Sequence, residues 1–138
     1  MPNTKAIGVA YSDPEFESVT VTGAITGASV SVTGSLTGSM LDLNAPVIKT
    51  ASFTLADTEN FVVCNGAGSI TVTFPSAAAN TGRVVWIKTI AAQAVSSASS
   101  NVQPLTSATA GTAILTGTAG KFAMLVCNGT DWVVMSAN

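Results

Sequence analysis

The chain has 138 residues, enough for one compact domain with an extension but too few for two full cores. Charged residues make up 9% and hydrophobic residues 47% of the chain, and the formal net charge is −2 with five Lys and Arg. So few basic residues argue against nucleic acid as a partner. No apolar run approaches the roughly 18–20 residues of a membrane-spanning helix, so we expect no membrane partner either.

The low charge content predicts that much of the surface is buried in an oligomer, because few charges remain to keep a monomer soluble. A surface coated with Ser and Thr is the alternative. Val, Ile and Ala are interrupted every few positions by Thr, Ser or Gly. This texture favours β-structure, since β-branched side chains pack well on a pleated sheet.

The cysteine and histidine content limits the available chemistry. Two cysteines, Cys64 and Cys127, are too few for a disulfide framework, and the chain has no His. We expect both cysteines to be small buried hydrophobic residues, and we expect no metal and no cofactor. The polar residues 1–5 do not resemble a secretory signal, which predicts assembly in a reducing cytoplasm.

Residues 1–18 show no hydrophobic period and are predicted to form an extended N-terminal arm. Two aromatic residues lie among alternating carboxylates, a pattern that favours a docking peptide for a basic, grooved partner surface. A disordered tail is the alternative. The predicted partner-binding residues are Tyr11, Asp13, Glu15, Phe16 and Glu17.

Residues 19–46 contain an internal repeat and are predicted to form a β-stalk. Residues 19–29 and 30–40 are two eleven-residue units with six identical positions, each with two Thr-Gly breaks. A unit this small cannot bury its own apolar face, so we expect three chains to intertwine around a shared axis. A flexible linker is the alternative. The predicted trimer-interface residues are Val19, Val21, Ile25, Val30, Val32 and Leu36.

Residues 47–138 are predicted to form a β-sandwich or barrel knob. Short alternating or apolar stretches are separated at short intervals by Gly, Asn, Pro and Ser, as in all-β domains. Residues 91–100 are predicted to be a loop or an irregular edge strand. The predicted strand segments are residues 53–55, 70–74, 84–87, 122–126 and 132–134, with 84–87 buried throughout.

Two segments of the predicted knob resemble each other. Residues 63–72 and 126–134 both contain Val-Cys-Asn-Gly followed by a second β-rich stretch. Asn-Gly favours tight hairpin turns because both residues accept positive φ. We therefore predict two hairpins, and facing hairpins would bring Cys64 close to Cys127.

The acidic residues do not form a recognisable catalytic group. The chain has seven carboxylates, and its closest groups lie in the arm and in a probable turn, residues 57–60, which is an alternative weak calcium site. A glycosidase pair of Asp57 and Asp131 is the remaining enzymatic alternative. No nucleotide-binding or nucleophile-elbow motif occurs. We predict a protein that is not an enzyme.

Three segments of the knob form a recognisable series: Ile70-Thr-Val-Thr-Phe-Pro-Ser-Ala-Ala78, Gly82-Arg-Val-Val-Trp-Ile-Lys88 and Leu125-Val-Cys-Asn-Gly-Thr-Asp-Trp-Val-Val134. They resemble a β-module of tailed-bacteriophage virions, found in capsid decoration or cement proteins and in head-fibre or tail-fibre knobs. They are similar to the family's "VTLP…A…GR…IK" segment and to its closing "VxLVCDGTxWxVI" hairpin. The resemblance covers about residues 50–138 and implies a homotrimer.

The beginning of the chain, residues 3–10 and 13–16, is similar to the starts of small phage head proteins. That resemblance implies an arm bound to the major capsid protein, on the capsid surface of a virion assembled in the host cytoplasm. A tail-fibre or adhesin tip that binds host glycan through Trp86 or Trp132 is the first alternative. We expect both tryptophans in the core, because each alternates with aliphatic residues. A small polysaccharide-active enzyme is the second alternative.

Overall fold

A computed structural model describes residues 22–23, 32–35 and 43–138. The chain divides into two compact units, Met1–Ser39 and Met40–Asn138. In the second unit the described residues form strands and a single 3-10 turn, Ala77–Ala79, so the predicted all-β class is confirmed. The strands are β1 Val47–Lys49, β2 Phe53–Thr54, β3 Phe61–Cys64, β4 Ile70–Thr73, β5 Val84–Thr89, β6 Val95–Ser97, β7 Val102–Gln103, β8 Ala113–Leu115, β9 Phe122–Cys127 and β10 Trp132–Ala137.

The strands form two mixed sheets. The six-stranded sheet has the order β1-β3-β5-β9-β10-β7, and the four-stranded sheet has the order β2-β4-β6-β8. The first six strands alternate between the sheets, so the chain winds three times from one sheet to the other. Each strand therefore pairs in parallel with the strand one turn later: β1 with β3, β3 with β5, β2 with β4, and β4 with β6. A parallel pair needs such a crossover, because a tight turn reverses the chain.

One of the two predicted hairpins is confirmed. β9 and β10 pair antiparallel, with Trp132 opposite Cys127, and Gly129 in the loop between them has a φ of 94°. That conformation favours glycine because a Cβ atom clashes there. The Asn128 side-chain oxygen accepts hydrogen bonds from the N–H groups of Thr130 and Asp131 at 2.9 and 2.8 Å, which orders the loop.

The other predicted hairpin, at residues 63–72, is wrong. β3 and β4 belong to different sheets, and Asn65-Gly66 lies where the chain crosses between them. Gly66 does not have a positive φ. A Cβ atom at this position would lie 2.6 Å from the carbonyl oxygen of Thr50, which belongs to the β1–β2 crossing. A close backbone approach therefore explains this glycine better than turn geometry does.

The segment predicted as a loop or edge strand, residues 91–100, contains β6. This strand lies between β4 and β8 in the four-stranded sheet, so it is not an edge strand. Val95 and Ser97 are buried. The Ser97 hydroxyl hydrogen-bonds the Asn101 side-chain oxygen at 2.6 Å, so a hydroxyl can occupy a buried strand position that composition alone assigned to a loop.

Both sheets contribute to one core. The Trp132 side chain of β10 is fully buried and stacks on Phe74, which follows β4, with ring centroids 4.7 Å apart. The prediction that Trp132 is a core residue is confirmed. The remaining buried apolar side chains come mainly from β3, β4, β5, β8 and β9.

The two cysteines are buried and free, as predicted, with 0% and 1% exposure. They do not lie close together. Cys64 pairs with Thr89 at the end of β5, whereas the Cys127 N–H donates to the Arg83 carbonyl just before β5 begins. The length of β5, roughly 20 Å, separates them.

The predicted arm and stalk lie almost wholly outside the described residues. Of the predicted trimer-interface residues the structure describes Val32, which is 48% exposed in the single chain. The partner-binding residues Tyr11, Asp13, Glu15, Phe16 and Glu17 and the interface residues Val19, Val21, Ile25, Val30 and Leu36 lie outside the described residues. The division into arm 1–18, stalk 19–46 and knob 47–138 stays a prediction.

Candidate functional site

The side of the six-stranded sheet that points away from the core is the candidate functional site, and we call it the outward face. Along β3, β5 and β9 every second side chain is buried, and the alternate ones belong to this face. Its members are Ile48, Phe61, Val63, Val84, Trp86, Lys88, Gln103, Phe122, Met124, Val126, Val133, Met135 and Ser136.

Strand register arranges most of this face in three rows that run across the sheet. Residues directly opposite each other on paired strands have Cβ atoms about 5 Å apart, so neighbours in a row are in contact range. The first row contains Ile48, Val63, Lys88 and Phe122; the second contains Phe61, Trp86, Met124 and Ser136; the third contains Val84, Val126, Val133 and Gln103. Among these described positions, Lys88 is the one charged residue.

The most exposed members of the face are large apolar side chains. Ile48 is 65% exposed, Met135 56%, Val84 40% and Trp86 38%. The prediction that residues 84–87 are buried throughout is therefore half right, since Val85 and Ile87 are in the core. The prediction that Trp86 is a core residue is wrong for the single chain.

A groove of about 510 Å³ is cut into the outward face. The Trp86 and Phe122 rings stack along it, with centroids 6.3 Å apart and an interplanar angle of 30°. Apolar groups form nearly all of its wall, which suits an apolar partner better than a polar small molecule. The groove is lined by Pro46, Phe61, Val62, Val63, Trp86, Ile87, Lys88, Gly120, Phe122 and Asn138.

Arg83 holds a turn at one end of the six-stranded sheet. Its Nη2 donates hydrogen bonds to the carbonyls of Ala56 at 2.6 Å and Glu59 at 3.0 Å, and its Nη1 donates to Asn80 Oδ1 at 3.2 Å. The side chain is 12% exposed. Arg83 therefore ties the β2–β3 connection to the start of β5, and its contacts are structural.

The two carboxylates of the candidate glycosidase pair, Asp57 and Asp131, each contact a different side chain. Asp57 Oδ1 lies 3.6 Å from Arg83 Nη1, and the Asp57 side chain is 90% exposed. Asp131 Oδ2 accepts a hydrogen bond from Gln103 Nε2 at 3.0 Å. Such exposure of Asp57 differs from the low-dielectric pocket that tunes a catalytic acid. In residues 43–138 and the short described stretches before them, no three His, Cys, Asp or Glu side chains are grouped to hold a metal.

Glu59 joins the same turn to β1. Its Oε1 accepts a hydrogen bond from Lys49 Nζ at 2.6 Å, and its Oε2 accepts one from the Ala56 N–H at 3.1 Å. Burial raises the pKa of the Glu59 carboxyl, but these hydrogen bonds and the nearby charges of Lys49 and Arg83 outweigh it and leave the pKa below its ordinary value of 4.5.

Lowering the pH is expected to remove the stabilisation that Glu59 supplies. Because its pKa is lower in the folded state, the carboxylate stabilises the fold above pH 4.5, and this contribution is lost as the pH falls through the folded-state pKa. We expect Glu59→Gln to lower the free energy of unfolding by about 1 kcal/mol near neutral pH and by much less at about pH 3. Denaturant unfolding of both proteins across this range measures the difference, and a difference independent of pH contradicts the assignment.

The thiol of Cys64 is chemically quiet. Burial raises its pKa to about 11, so the nucleophilic thiolate is scarce at neutral pH. This agrees with a packing role for the residue.

Sequence reasoning missed the outward face, although its signal was present. Residues 84–87 and 122–126 are apolar at both phases of the strand period, a pattern typical of strands covered on both sides. The error was to assign Trp86 to the core of the knob, although its strand neighbours Val85 and Ile87 fill that core. No helix in the described part of the chain is long and apolar enough to cross a membrane.

Comparison with known proteins adds no relative to this picture. No protein-family model matches the chain, and a search of curated proteins finds none with significant similarity.

Proposed function

We propose that the chain is a non-catalytic structural protein of a tailed-bacteriophage virion, a homotrimeric capsid decoration or head-fibre protein that binds and stabilises the shell. In this proposal residues 1–18 form the attachment arm, residues 19–46 an intertwined stalk, and residues 47–138 a knob on the capsid surface. The partner is the major capsid protein.

The observation that carries the proposal is the apolar outward face of the six-stranded sheet. A chain that is 9% charged has few charges to keep it soluble while three rows made mainly of Phe, Trp, Met, Val and Ile stay uncovered. Assembly removes this surface from water. A structural protein that functions inside a symmetric assembly accounts for such a face without requiring a reaction.

The virion context is supported by the three resembling segments. Residues 70–78 include β4, residues 82–88 include most of β5, and residues 125–134 include the β9–β10 turn. They contribute Arg83, Gly129 and Trp132, whose structural roles are specific: one ties a turn, one permits a positive φ, and one fills the core. A module defined by such residues keeps its fold while its surface changes.

The proposed mechanism is avidity. Three arms on one rigid trimer can bind around a three-fold site of the shell, and each arm bound raises the effective concentration of the next. Tyr11 and Phe16 are the proposed anchors, because aromatic side chains dominate most interface energies. We propose that the carboxylates of the arm contact basic groups that line a groove on the major capsid protein. These carboxylates belong to Asp13, Glu15 and Glu17.

Deleting residues 1–18 is expected to leave a folded trimer that no longer loads onto capsids. Purified full-length and shortened proteins are mixed with empty capsids of the phage that encodes them, and occupancy is measured by sedimentation and gel densitometry. We expect at least a 100-fold loss of apparent affinity, because three-fold avidity is lost together with the contacts. Full occupancy by the shortened protein would overturn the role of the arm.

Host-glycan binding is the second candidate, favoured by the exposed Trp86 ring beside Phe122. An aromatic platform can stack on a sugar ring, whereas the buried Trp132 cannot. This candidate requires that the full-length protein binds host envelope polysaccharide saturably. It also requires that Trp86→Ala abolishes this binding. Capsid loading without polysaccharide binding favours the decoration role.

A further inference from the structure

We propose that Asn128, in the β9–β10 turn, is a site of spontaneous covalent modification, and that the fold protects the other Asn-Gly pair, Asn65-Gly66, from the same reaction. At an Asn-Gly pair the backbone nitrogen of glycine can attack the side-chain amide of asparagine, because glycine has no side chain to hinder the approach. The substrate is the chain itself and the co-reactant is water, so the chemistry does not depend on the proposed virion role.

The reaction converts an asparagine and a water molecule into an acid and ammonia. The Gly129 nitrogen forms a bond to Asn128 Cγ and loses its proton, and the bond from Cγ to Nδ2 breaks. The amide nitrogen takes up that proton and leaves as ammonia. Water then opens the five-membered imide at either of its carbonyl carbons, which gives aspartate or isoaspartate.

The two Asn-Gly pairs have the same preceding sequence, so their local chemistry is closely matched. Residues 63–66 and 126–129 are both Val-Cys-Asn-Gly, and Asn65 and Asn128 are both exposed. The next residue is Ala67 in the first pair and Thr130 in the second. We therefore expect similar rates in the unfolded chain, and a difference in the folded protein must come from the structure.

The structure ties down the nucleophile of the first pair. The Gly66 N–H donates a hydrogen bond to Gln93 Oε1 at 2.6 Å, and Gln93 is 2% exposed. The nitrogen must lose its proton to attack, so this hydrogen bond has to open first. The Thr50 carbonyl oxygen lies 2.6 Å from the position of a Cβ on Gly66, which leaves the backbone little room to turn towards the Asn65 side chain.

The β9–β10 turn leaves its nucleophile free and activates the amide. Within the described residues the Gly129 N–H donates no hydrogen bond, and the bonds that close the turn come from its neighbours. The N–H groups of Thr130 and Asp131 donate to Asn128 Oδ1 at 2.9 and 2.8 Å. Negative charge develops on this oxygen when Cγ is attacked, so the two donors stabilise the reacting state as those of an oxyanion hole do.

The two products differ in their effect on the turn. An aspartate in place of Asn128 accepts the same two hydrogen bonds, which become charge-assisted. Isoaspartate carries the main chain through the side-chain carbon and lengthens the turn, so we expect the register of Trp132 with Cys127 to be lost. The isoaspartate branch therefore weakens the β9–β10 hairpin irreversibly.

Peptide mass spectrometry of the aged full-length protein tests the proposal. Folded and denatured samples are incubated in mildly alkaline buffer and digested with trypsin, which separates the two pairs into residues 50–83 and 122–138. The change in mass from amide to acid, together with an isoaspartate assay, gives the conversion at each pair.

In the folded protein we expect Asn128 to convert at least about 10-fold faster than Asn65, the factor that corresponds to opening one hydrogen bond of about 1.4 kcal/mol. In denaturant we expect similar rates. A smaller ratio in the folded protein, the same ratio in denaturant, or complete protection of folded Asn128 overturns the proposal.

Gln93→Leu tests the cause of the protection. Leucine offers no acceptor to the Gly66 N–H, so we expect conversion of Asn65 to rise by about 10-fold. Asn128 in the same molecules is the internal control, because its rate stays unchanged while the β9–β10 turn is folded. An unchanged Asn65 rate in a folded variant contradicts the role of Gln93, and if the variant does not fold, the wild-type ratio decides alone.

Discussion

Replacing Arg83 by Leu is expected to lower the free energy of unfolding by about 3 kcal/mol. The guanidinium donates to the carbonyls of Ala56 and Glu59 and to Asn80 Oδ1, and it lies beside Asp57. Hydrogen bonds to a charged group contribute about 1.5–3 kcal/mol, and losing the donor leaves carbonyls in a partly buried turn unpaired. Denaturant unfolding at one fixed chain concentration measures the change, because an oligomer's stability depends on concentration.

Arg83→Lys is the informative comparison for this prediction. Lysine keeps the charge but is one atom shorter and has no planar fork, so it cannot reach both carbonyls and the Asn80 oxygen together. We expect it to recover less than half of the lost stability. A lysine variant as stable as wild type would show that charge alone, through Asp57, holds the turn.

Replacing Gly66 by Ala is expected to cost about 3 kcal/mol. The new methyl carbon would lie 2.6 Å from the Thr50 carbonyl oxygen and 3.3 Å from both Gln93 Oε1 and Ile70 Cδ1. The Gly66 N–H also donates to Gln93 Oε1 at 2.6 Å, so the backbone cannot move away without loss of this bond. Overpacking of a well-packed site costs about 1–3 kcal/mol, and a strained hydrogen bond adds to it.

Gly68→Ala is the matched control, because it lies two residues further along the same crossing and nothing lies within 4 Å of an added Cβ. Its φ is not positive. We expect a change below about 0.5 kcal/mol, with stabilisation possible through a less flexible unfolded chain. Equal destabilisation by the two alanines would mean that the crossing tolerates no side chain at either position. It would contradict the assignment of the cost to the close approach of Gly66 to the Thr50 carbonyl.

The crossings from the six-stranded to the four-stranded sheet explain why Gly66 is placed where it is. Thr50, Gly66 and Gln93 belong to the β1–β2, β3–β4 and β5–β6 crossings, and Gly66 contacts the other two residues. Gln93 is 2% exposed, so a polar side chain is buried to accept the Gly66 N–H. A parallel winding brings equivalent parts of the chain into contact, and one small residue lets the backbones approach.

Local pattern determined much of the fold. The alternation in residues 70–74 and the short apolar stretches 122–126 and 132–134 predict β4, β9 and β10, and the Asn128-Gly129 turn predicts the hairpin of β9 and β10, because these signals act over a few residues. The burial of both cysteines and of Trp132 also followed from apolar neighbours. The arm and stalk remain predictions of the repeat and the composition.

The tertiary structure alone decided the rest. Asn65-Gly66 has the same local signal as Asn128-Gly129, yet it lies at a crossing, because the pairing of β3 with β1 and β5 depends on residues up to 25 positions away. The apolar stretch at 84–87 predicted cover on both sides of its strand. Only the arrangement of the sheets shows that one of those sides, with Trp86 at its centre, is uncovered within the single chain, since the sequence period records which side chains are apolar but not which of them the rest of the chain covers.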